Sequence, residues 1–366
     1  MKKIITCVGT RPNFIKVTQL HKYFAKYPFI QHKILHTGQH FDQNMSDIFF
    51  EQLEIPAPEI YLEATGTSQM SLLADIMVKF EKVLLEEQPD LVMVPGDVNS
   101  SLACAIVANR LGIPLAHIES GLRSFDRSMP EEINRILIDD LSDLFFITEN
   151  SGIEHLVKEG KLKEKMHFVG NTMIDTLVNF QQKFDQSTIL NQLPSRDNKP
   201  IATVTFHRPG NVDILENLER IVTILEGVSK QFTIVFPVHP RTRKKLETFN
   251  LFTKVERNPN ILLFPSLGYL DFMKLIKEST LVITDSGGIQ EETTYLKVPC
   301  VTVRPNTERP VTISEGSNTL MDLNPEEIIE LANTVIDGKY KESKVPELWD
   351  GRASERLVEV LINYLS

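Results

Sequence analysis

The chain has 366 residues, of which 42% are hydrophobic and 24% charged, and its formal net charge is -10. That length suits two domains of ordinary size, and the composition is that of a soluble globular protein. The negative balance argues against general binding to nucleic acid or to an anionic membrane, but a cleft can still be locally positive and take a small anion.

The first segment, MKKIITCVGTRP, holds an apolar run of about five residues that meets Gly-Thr-Arg-Pro. It reads as a strand over 3–9 and not as the core of a signal peptide. Further strands are predicted at 32–37, 90–96, 114–118, 144–148 and 166–170, then at 200–206, 232–238, 260–264, 280–285 and 299–303. Most are continuous runs rich in Val and Ile, the pattern of strands covered on both faces in a parallel sheet. Helical spacing of apolar residues predicts helices over 69–87 and 213–230. The order βαβα, given twice over similar lengths, predicts an α/β protein of two Rossmann-like, doubly wound domains with a central cleft. The division is placed at VGNT, giving domains 1–171 and 172–350 with a polar connection, QLPSRDNKP, ahead of the second sheet. A last helix over 351–366 is of the kind that crosses back to the first domain in two-domain proteins. No stretch approaches the roughly 20 apolar residues that span a bilayer. Cys7, Cys104 and Cys300 lie in apolar segments without metal-ligand spacing, as buried thiols of a reducing cytoplasm would.

Ligands of doubly wound sheets bind outside the carboxyl ends of the strands, so the residues just after each strand carry the functional reading. After the first strand, GTRPNFIK offers Arg11 and Lys16 around a helix start, either as surface cations of a βα turn or as an anion site. Asp97 follows the 90–96 strand, where an N-cap is the ordinary role for aspartate. Glu119 follows the 114–118 strand and leads into HIESGLRSFDRSMPEEINR, with Pro130 opening a helix. Glu131 is spaced to pair with Arg135 four residues on. Glu132 and Asp126 are assigned to capping and solvation, and Ser124 to Met129 to a surface loop.

In the second half, His207–Arg208 and His239–Pro240–Arg241 stand directly at strand ends, placed like acid/base or phosphate-binding groups. DSGGIQEE, 285–292, has Asp285 or Ser286 to cap a helix, and Gly287 and Gly288 to let a ligand approach the backbone. It is neither GxGxxG nor a Walker A loop. Glu292 is spaced to reach a ribose, and RPNTERP adds Arg304 and Arg309. A nucleoside diphosphate joined to a group with an exchangeable proton fits this set.

The stretches GTRPNFIK, TGQHFDQNM, PGDVNSS, HIESGLRS, PEEINR, VGNTMID, HRPGNVD, TDSGGIQEE and TERP resemble, in order and spacing, the non-hydrolysing UDP-N-acetylglucosamine 2-epimerases over nearly the whole chain. That family shares its two-domain architecture with the GT-B glycosyltransferases. The resemblance implies catalytic roles for Asp97, Glu119, Glu131 and His207. It implies phosphate and substrate contacts from Arg11 and Lys16, a diphosphate loop at Ser286, Gly287 and Gly288, a ribose acid at Glu292, a diphosphate arginine at Arg309 and a uracil contact from Phe272, and Arg135, Arg208 and His239 are expected beside them as substrate-binding residues. It also implies a homodimer and a reaction without metal or organic cofactor, in which elimination of UDP across C1–C2 gives 2-acetamidoglucal and re-addition inverts C2.

The chain departs from the family pattern in several places. Asn13 and Pro209 stand where Glu and Arg are usual, the loop from Glu119 to Glu131 is shorter, and a uracil-side glutamine is replaced near Leu267. FDQN (41–44) and TSQ around Ser68 replace the residues that hold a second UDP-sugar in allosterically activated members. The alternatives are a 2-epimerase of a modified UDP-sugar such as a diacetamido glucuronate, a hydrolysing 2-epimerase, a GT-B glycosyltransferase, and a non-catalytic nucleotide-sugar sensor.

Overall fold

The computed structural model describes residues 1–39, 52–193 and 199–366, with the side chain of Arg11 also outside the described set. FDQN and the middle of QLPSRDNKP therefore lie outside the described residues. The chain divides into two units, Met1–Asn179 with Glu347–Ser366, and Phe180–Pro346. The dividing points fall at 179/180 and 346/347, where the sequence places them at 171/172 and 350/351.

Among the described residues the first unit holds seven strands: β1 (Lys2–Val8), β2 (Ile30–His36), β3 (Ile60–Tyr61), β4 (Leu91–Pro95), β5 (Leu115–Ile118), β6 (Leu144–Ile147) and β7 (Met166–Phe168). They lie in the order β3-β2-β1-β4-β5-β6-β7, and every pairing is parallel. The second unit holds β8 (Ile201–Thr205), β9 (Thr233–Pro237), β10 (Ile261–Phe264), β11 (Leu281–Thr284), β12 (Cys300–Val303) and β13 (Asn318–Met321), in the order β10-β9-β8-β11-β12-β13, again parallel throughout. Both orders reverse direction next to the first strand of the unit, which defines one switch point in each sheet, β1/β4 and β8/β11. Two strands escape the apolar-run criterion. β3 is only two residues long, and β13, NTLM, is a partly polar sheet edge without a β-branched apolar residue.

Continuous burial explains the runs. Ile5, Val92, Val94, Leu115 and Ile138 share one core, and Val204, Phe206, Phe236, Ile283 and Val301 another. Each such side chain contributes about 1.5–3 kcal/mol on burial. In the first unit the helix Ala353–Leu365 packs on Leu20–Phe24. Its first N–H groups, those of Ala353 and Ser354, donate to the buried Asp175 carboxylate at 2.9 and 2.5 Å. Trp349, buried, donates from Nε1 to Thr148 O at 2.9 Å and seats the chain just before that helix.

β2 also carries a pH dependence. Burial lowers His36 to about 4 and His32 to about 3, against about 6.5 in an unfolded chain. A histidine kept neutral by folding contributes stability above the unfolded value that is lost as pH falls toward the folded one. Between pH 6.5 and 4, unfolding should take up about two protons at these sites, so stability drops by roughly 2–3 kcal/mol per pH unit. Urea midpoints at pH 7 and pH 5 check this: the lower pH should give the lower midpoint, and equal midpoints would contradict it.

Candidate active site

At the first switch point the turn after β1 is folded around Asn13. Its Oδ1 accepts from Gly9 N (3.3 Å), Thr10 N (3.2 Å) and Thr10 Oγ1 (3.1 Å), and its Nδ2 donates to Pro95 O (3.0 Å) at the end of β4. A glutamate in this place could not make the last bond, because a carboxylate has no donor. The departure at Asn13 thus supplies the tie between the two strands that bound the crevice.

Arg11 opens the short helix Arg11–Val17, and Lys16 falls in its last turn, not at the N-terminus as the sequence suggests. From there Lys16 forms an ion pair with Glu119, and both are buried, at 6% and 3% exposure. Glu119 follows β5 with φ of +68°, a left-handed backbone uncommon for a residue other than glycine and one that aims the side chain at the strand ends. Gly96 lies against the pair. Its φ is +63°, and a Cβ there would sit 2.8 Å from Lys16 Nζ and 3.3 Å from Glu119 Oε2, so only glycine fits.

Asp97 is next in the chain. It is not the N-cap of the following helix, which is Val98. Its carboxylate instead pairs with Arg135, and its carbonyl accepts from Asn134 Nδ2 at 2.8 Å. Arg135 also pairs with Glu132 at 2.6 Å, three residues back, and not with Glu131 as the spacing suggests. Glu132 is 1% exposed, which corrects its assignment to solvation. It accepts from Ser124 N (2.8 Å), Ser124 Oγ (2.9 Å) and Phe125 N (3.0 Å), and so ties the loop after Glu119 to the helix Pro130–Leu141. Asp126 behaves as expected, closing a turn on Ser128. Glu131 is exposed in the first turn of that helix, one turn ahead of Arg135.

Beneath these groups lies a buried polar unit of His117, Asp139 and Arg123 that no local sequence pattern marks. His117 Nδ1 meets Asp139 Oδ1 at 2.7 Å and its Nε2 meets Gly96 O at 2.9 Å. Asp139 also accepts from Gly121 N at 3.0 Å and pairs with Arg123 at 2.7 Å. Burial pushes Asp139 up, but His117 and Arg123 hold it below the usual carboxylate range. His117 thereby fixes the Gly96 peptide from below.

In the second unit the switch point is built on Asp285. Neither it nor Ser286 caps the helix Ile289–Leu296, whose N-cap is Gly288. The fully buried Asp285 carboxylate reaches across to β8. It pairs with His207 Nδ1 at 2.9 Å and accepts from His207 N (3.1 Å), Arg208 N (2.9 Å) and Asn211 Nδ2 (3.1 Å). Against the penalty of burial, these donors hold Asp285 below its ordinary value. His207 keeps 41% of its side chain exposed, and its ring stands 5.7 Å from that of His239. His239 caps the helix Pro240–Thr248 through Nδ1, and burial followed by the neighbouring His207 lowers its proton affinity. Arg241 is engaged by Asp213 at 3.0 and 2.5 Å.

Arg208 donates from Nε to Asp285 O at 2.9 Å. Ser286 N donates to Thr284 Oγ1 at 3.0 Å. Gly287 then passes over a buried group of Arg304, Glu308 and Arg309: Arg304 Nη2 meets Glu308 at 3.1 Å, Arg309 Nη1 pairs with the same carboxylate, and Arg309 Nε meets Glu291 at 2.7 Å. Glu292 is buried in the first turn of the same helix. Phe272 is half-buried in the helix Tyr269–Lys277, which packs beside it.

The structure thus brings together Lys16, Glu119, Asp97 and Arg135 in one unit, and His207, Arg208, His239 and the 285–288 loop in the other. Among the described residues no group of three or more His, Cys, Asp or Glu has metal-holding geometry, and no helix is long and apolar enough to cross a membrane.

Two doubly wound parallel sheets, one with carboxylate–cation pairs at its switch point and the other with a glycine loop over arginines, define an enzyme of the two-domain GT-B class. The family model of UDP-N-acetylglucosamine 2-epimerase matches residues 22–362. The chain belongs to this family. It is 41% identical over 340 residues, 92% of each chain, to a UDP-N-acetylglucosamine 2-epimerase of Methanococcus maripaludis. It is 39% identical over 98% of its length, and 99% of the relative's, to a UDP-2,3-diacetamido-2,3-dideoxy-D-glucuronate 2-epimerase of Pseudomonas aeruginosa. The crystal structure of Methanocaldococcus jannaschii UDP-GlcNAc 2-epimerase in complex with UDP-GlcNAc and UDP matches with a TM-score of 0.89 and 39% identity, covering 99% of this chain and all of the other.

Proposed function

We propose that the protein interconverts UDP-N-acetylglucosamine and UDP-N-acetylmannosamine by anti elimination of UDP and re-addition through 2-acetamidoglucal. The observation that carries this reading is that two acids stand at one switch point, Glu119 paired with Lys16 against Gly96 and Asp97, the residue after Gly96, paired with Arg135. Inversion at C2 needs a proton taken from one face and returned to the other, and one carboxylate cannot serve both faces without moving. In the forward step a carboxylate takes the C2 proton, the C2–H electrons form the C1–C2 double bond, and the C1–O bond breaks with its electron pair leaving on UDP. Re-addition reverses these steps with the proton delivered to the opposite face. Glu131, exposed at the head of its helix, is the further candidate acid/base.

His207, oriented by Asp285, and the arginines around Gly287 would meet the charge that gathers on the departing diphosphate. Arg11, the Ser286–Gly288 backbone, Glu292 for the ribose and Phe272 for the uracil complete the proposed substrate contacts. A homodimer in the cytoplasm accompanies this reading as the family expectation.

The relative that acts on a diacetamido glucuronate is nearly as similar as those that act on UDP-N-acetylglucosamine, so the uronate is the second reading. Incubation with each UDP-sugar, followed by NMR of the C2 configuration, separates them. Epimerisation of UDP-N-acetylglucosamine without accumulation of free UDP is the expected result. Turnover of the uronate alone would transfer the proposal to that substrate, and stoichiometric release of UDP would indicate hydrolysis.

A further inference from the structure

The sequence offers Arg304 and Arg309 together in an anion-friendly loop and the family resemblance gives a diphosphate contact to Arg309 alone, yet both guanidiniums converge on the 285–288 loop. Arg304 follows β12 and is 4% exposed. Its backbone N–H donates to Met321 O at 3.0 Å, and Asn211 Nδ2 donates to Val303 O at 3.2 Å, so the ends of β8, β12 and β13 hold it in place. Its Nη2 is taken by Glu308, but its Nη1 is buried without a hydrogen-bond partner among the described residues. Burial makes the charged form costlier and lowers the proton affinity of Arg304, and the nearby positive charges of Arg208 and Arg309 act in the same direction. A buried guanidinium donor left unsatisfied costs more than a neutral one, so its direction is informative. A Cβ at Gly287 would lie 3.6 Å from Arg304 Nη1, 3.7 Å from Arg309 Nη1 and 3.0 Å from Glu308 Oε1. The two guanidiniums therefore face one point, at the start of the helix Ile289–Leu296, where the first N–H groups lack intrahelical acceptors. Glu308 sits between them and keeps two like charges side by side.

We propose that Arg304 is a second diphosphate-binding guanidinium, acting with Arg309 as a fork that Glu308 pre-sets and that Gly287 leaves open. This rests on the UDP-sugar reading above and deepens it. A planar guanidinium can give two parallel N–H bonds to phosphate oxygens where a lysine gives a point charge. With Nη2 on Glu308, Arg304 offers Nη1 to one phosphate and Arg309 serves the other. The preference created is for a diphosphate over a monophosphate.

The test is calorimetric titration of UDP, UMP and uridine into the wild-type chain, R304M and R304K. R304M should bind UDP about 10- to 100-fold more weakly, the effect of losing one charge-assisted bond, and should lose most of the discrimination between UDP and UMP while holding uridine unchanged. R304K, which keeps a cation opposite Glu308, should fold with a wild-type thermal transition and still lose about fivefold or more, the cost of replacing a fork by a point charge. Should R304M fail to fold, R304K carries the comparison. UDP affinity within twofold of wild type in the folded variants overturns the role of Arg304 and leaves the functional reading intact. Failure of the wild-type chain to bind UDP overturns both.

Discussion

Glu119→Gln is expected to lower kcat by about 10²- to 10⁴-fold, the usual contribution of a positioned acid/base, while the protein still folds and still binds UDP. The amide keeps the shape and an oxygen for the Lys16 ammonium, but it can neither take nor return a proton at C2. The accompanying stability cost comes from Lys16, which is buried and loses its counter-charge. Lys16→Met separates the two effects. In K16M the Glu119 carboxylate is present but has lost the Lys16 ammonium, so activity should fall less steeply than in E119Q at a similar loss of stability. Steady-state rates with thermal unfolding of both variants make the comparison. Near-normal turnover in E119Q would remove Glu119 from the chemistry.

The second large effect is expected at Asp285. Its carboxylate carries the His207 ring, two successive backbone N–H groups and Asn211. Asn in its place would turn an NH2 group toward at least one of these donors. Asp285→Asn should therefore cost both stability, by about 1–3 kcal/mol for a buried donor left unpaired, and kcat, by about 10²- to 10⁴-fold. His207→Asn should reproduce the kinetic loss with little change in stability, because that side chain is 41% exposed. Residues acting as a unit are non-additive, so the double variant should be no slower than the worse single one. Multiplicative rate losses would show that Asp285 does not work through His207.

The fold class was legible in the sequence, and so were the polar residues that directly follow the strands. Buried parallel strands announce themselves as continuous apolar runs, and polar residues directly after them, such as Glu119 and His207, stand out by contrast. Who pairs with whom was much less legible. Lys16, Glu119, Asp97, His207 and Asp285 all follow different strands or sit on different helices, and their meetings depend on the strand orders around β1/β4 and β8/β11, which no local pattern encodes. Aspartate or serine before a helix usually caps it, which suggests that role for Asp285 or Ser286; strand order sets Asp285 beside His207 instead. Glu131 and Arg135 have the spacing of a helix pair, yet Arg135 sits against Glu132 and Asp97 because its face of the helix is buried. Arg304 had the right composition around it, but only burial and direction distinguish a convergent guanidinium from a surface one. β3 and β13 carry no such signal, because short or polar edge strands need no apolar run.

Turnover of UDP-N-acetylglucosamine in D₂O tests the elimination and re-addition most directly. Because C2 loses its proton and regains one from the site, the product should carry one deuterium at C2, read by NMR or mass spectrometry. At equilibrium the same label should appear in recovered substrate. Product formed with C2 fully protonated would contradict the account, since no route through 2-acetamidoglucal with a solvent-exchanging acid preserves that hydrogen.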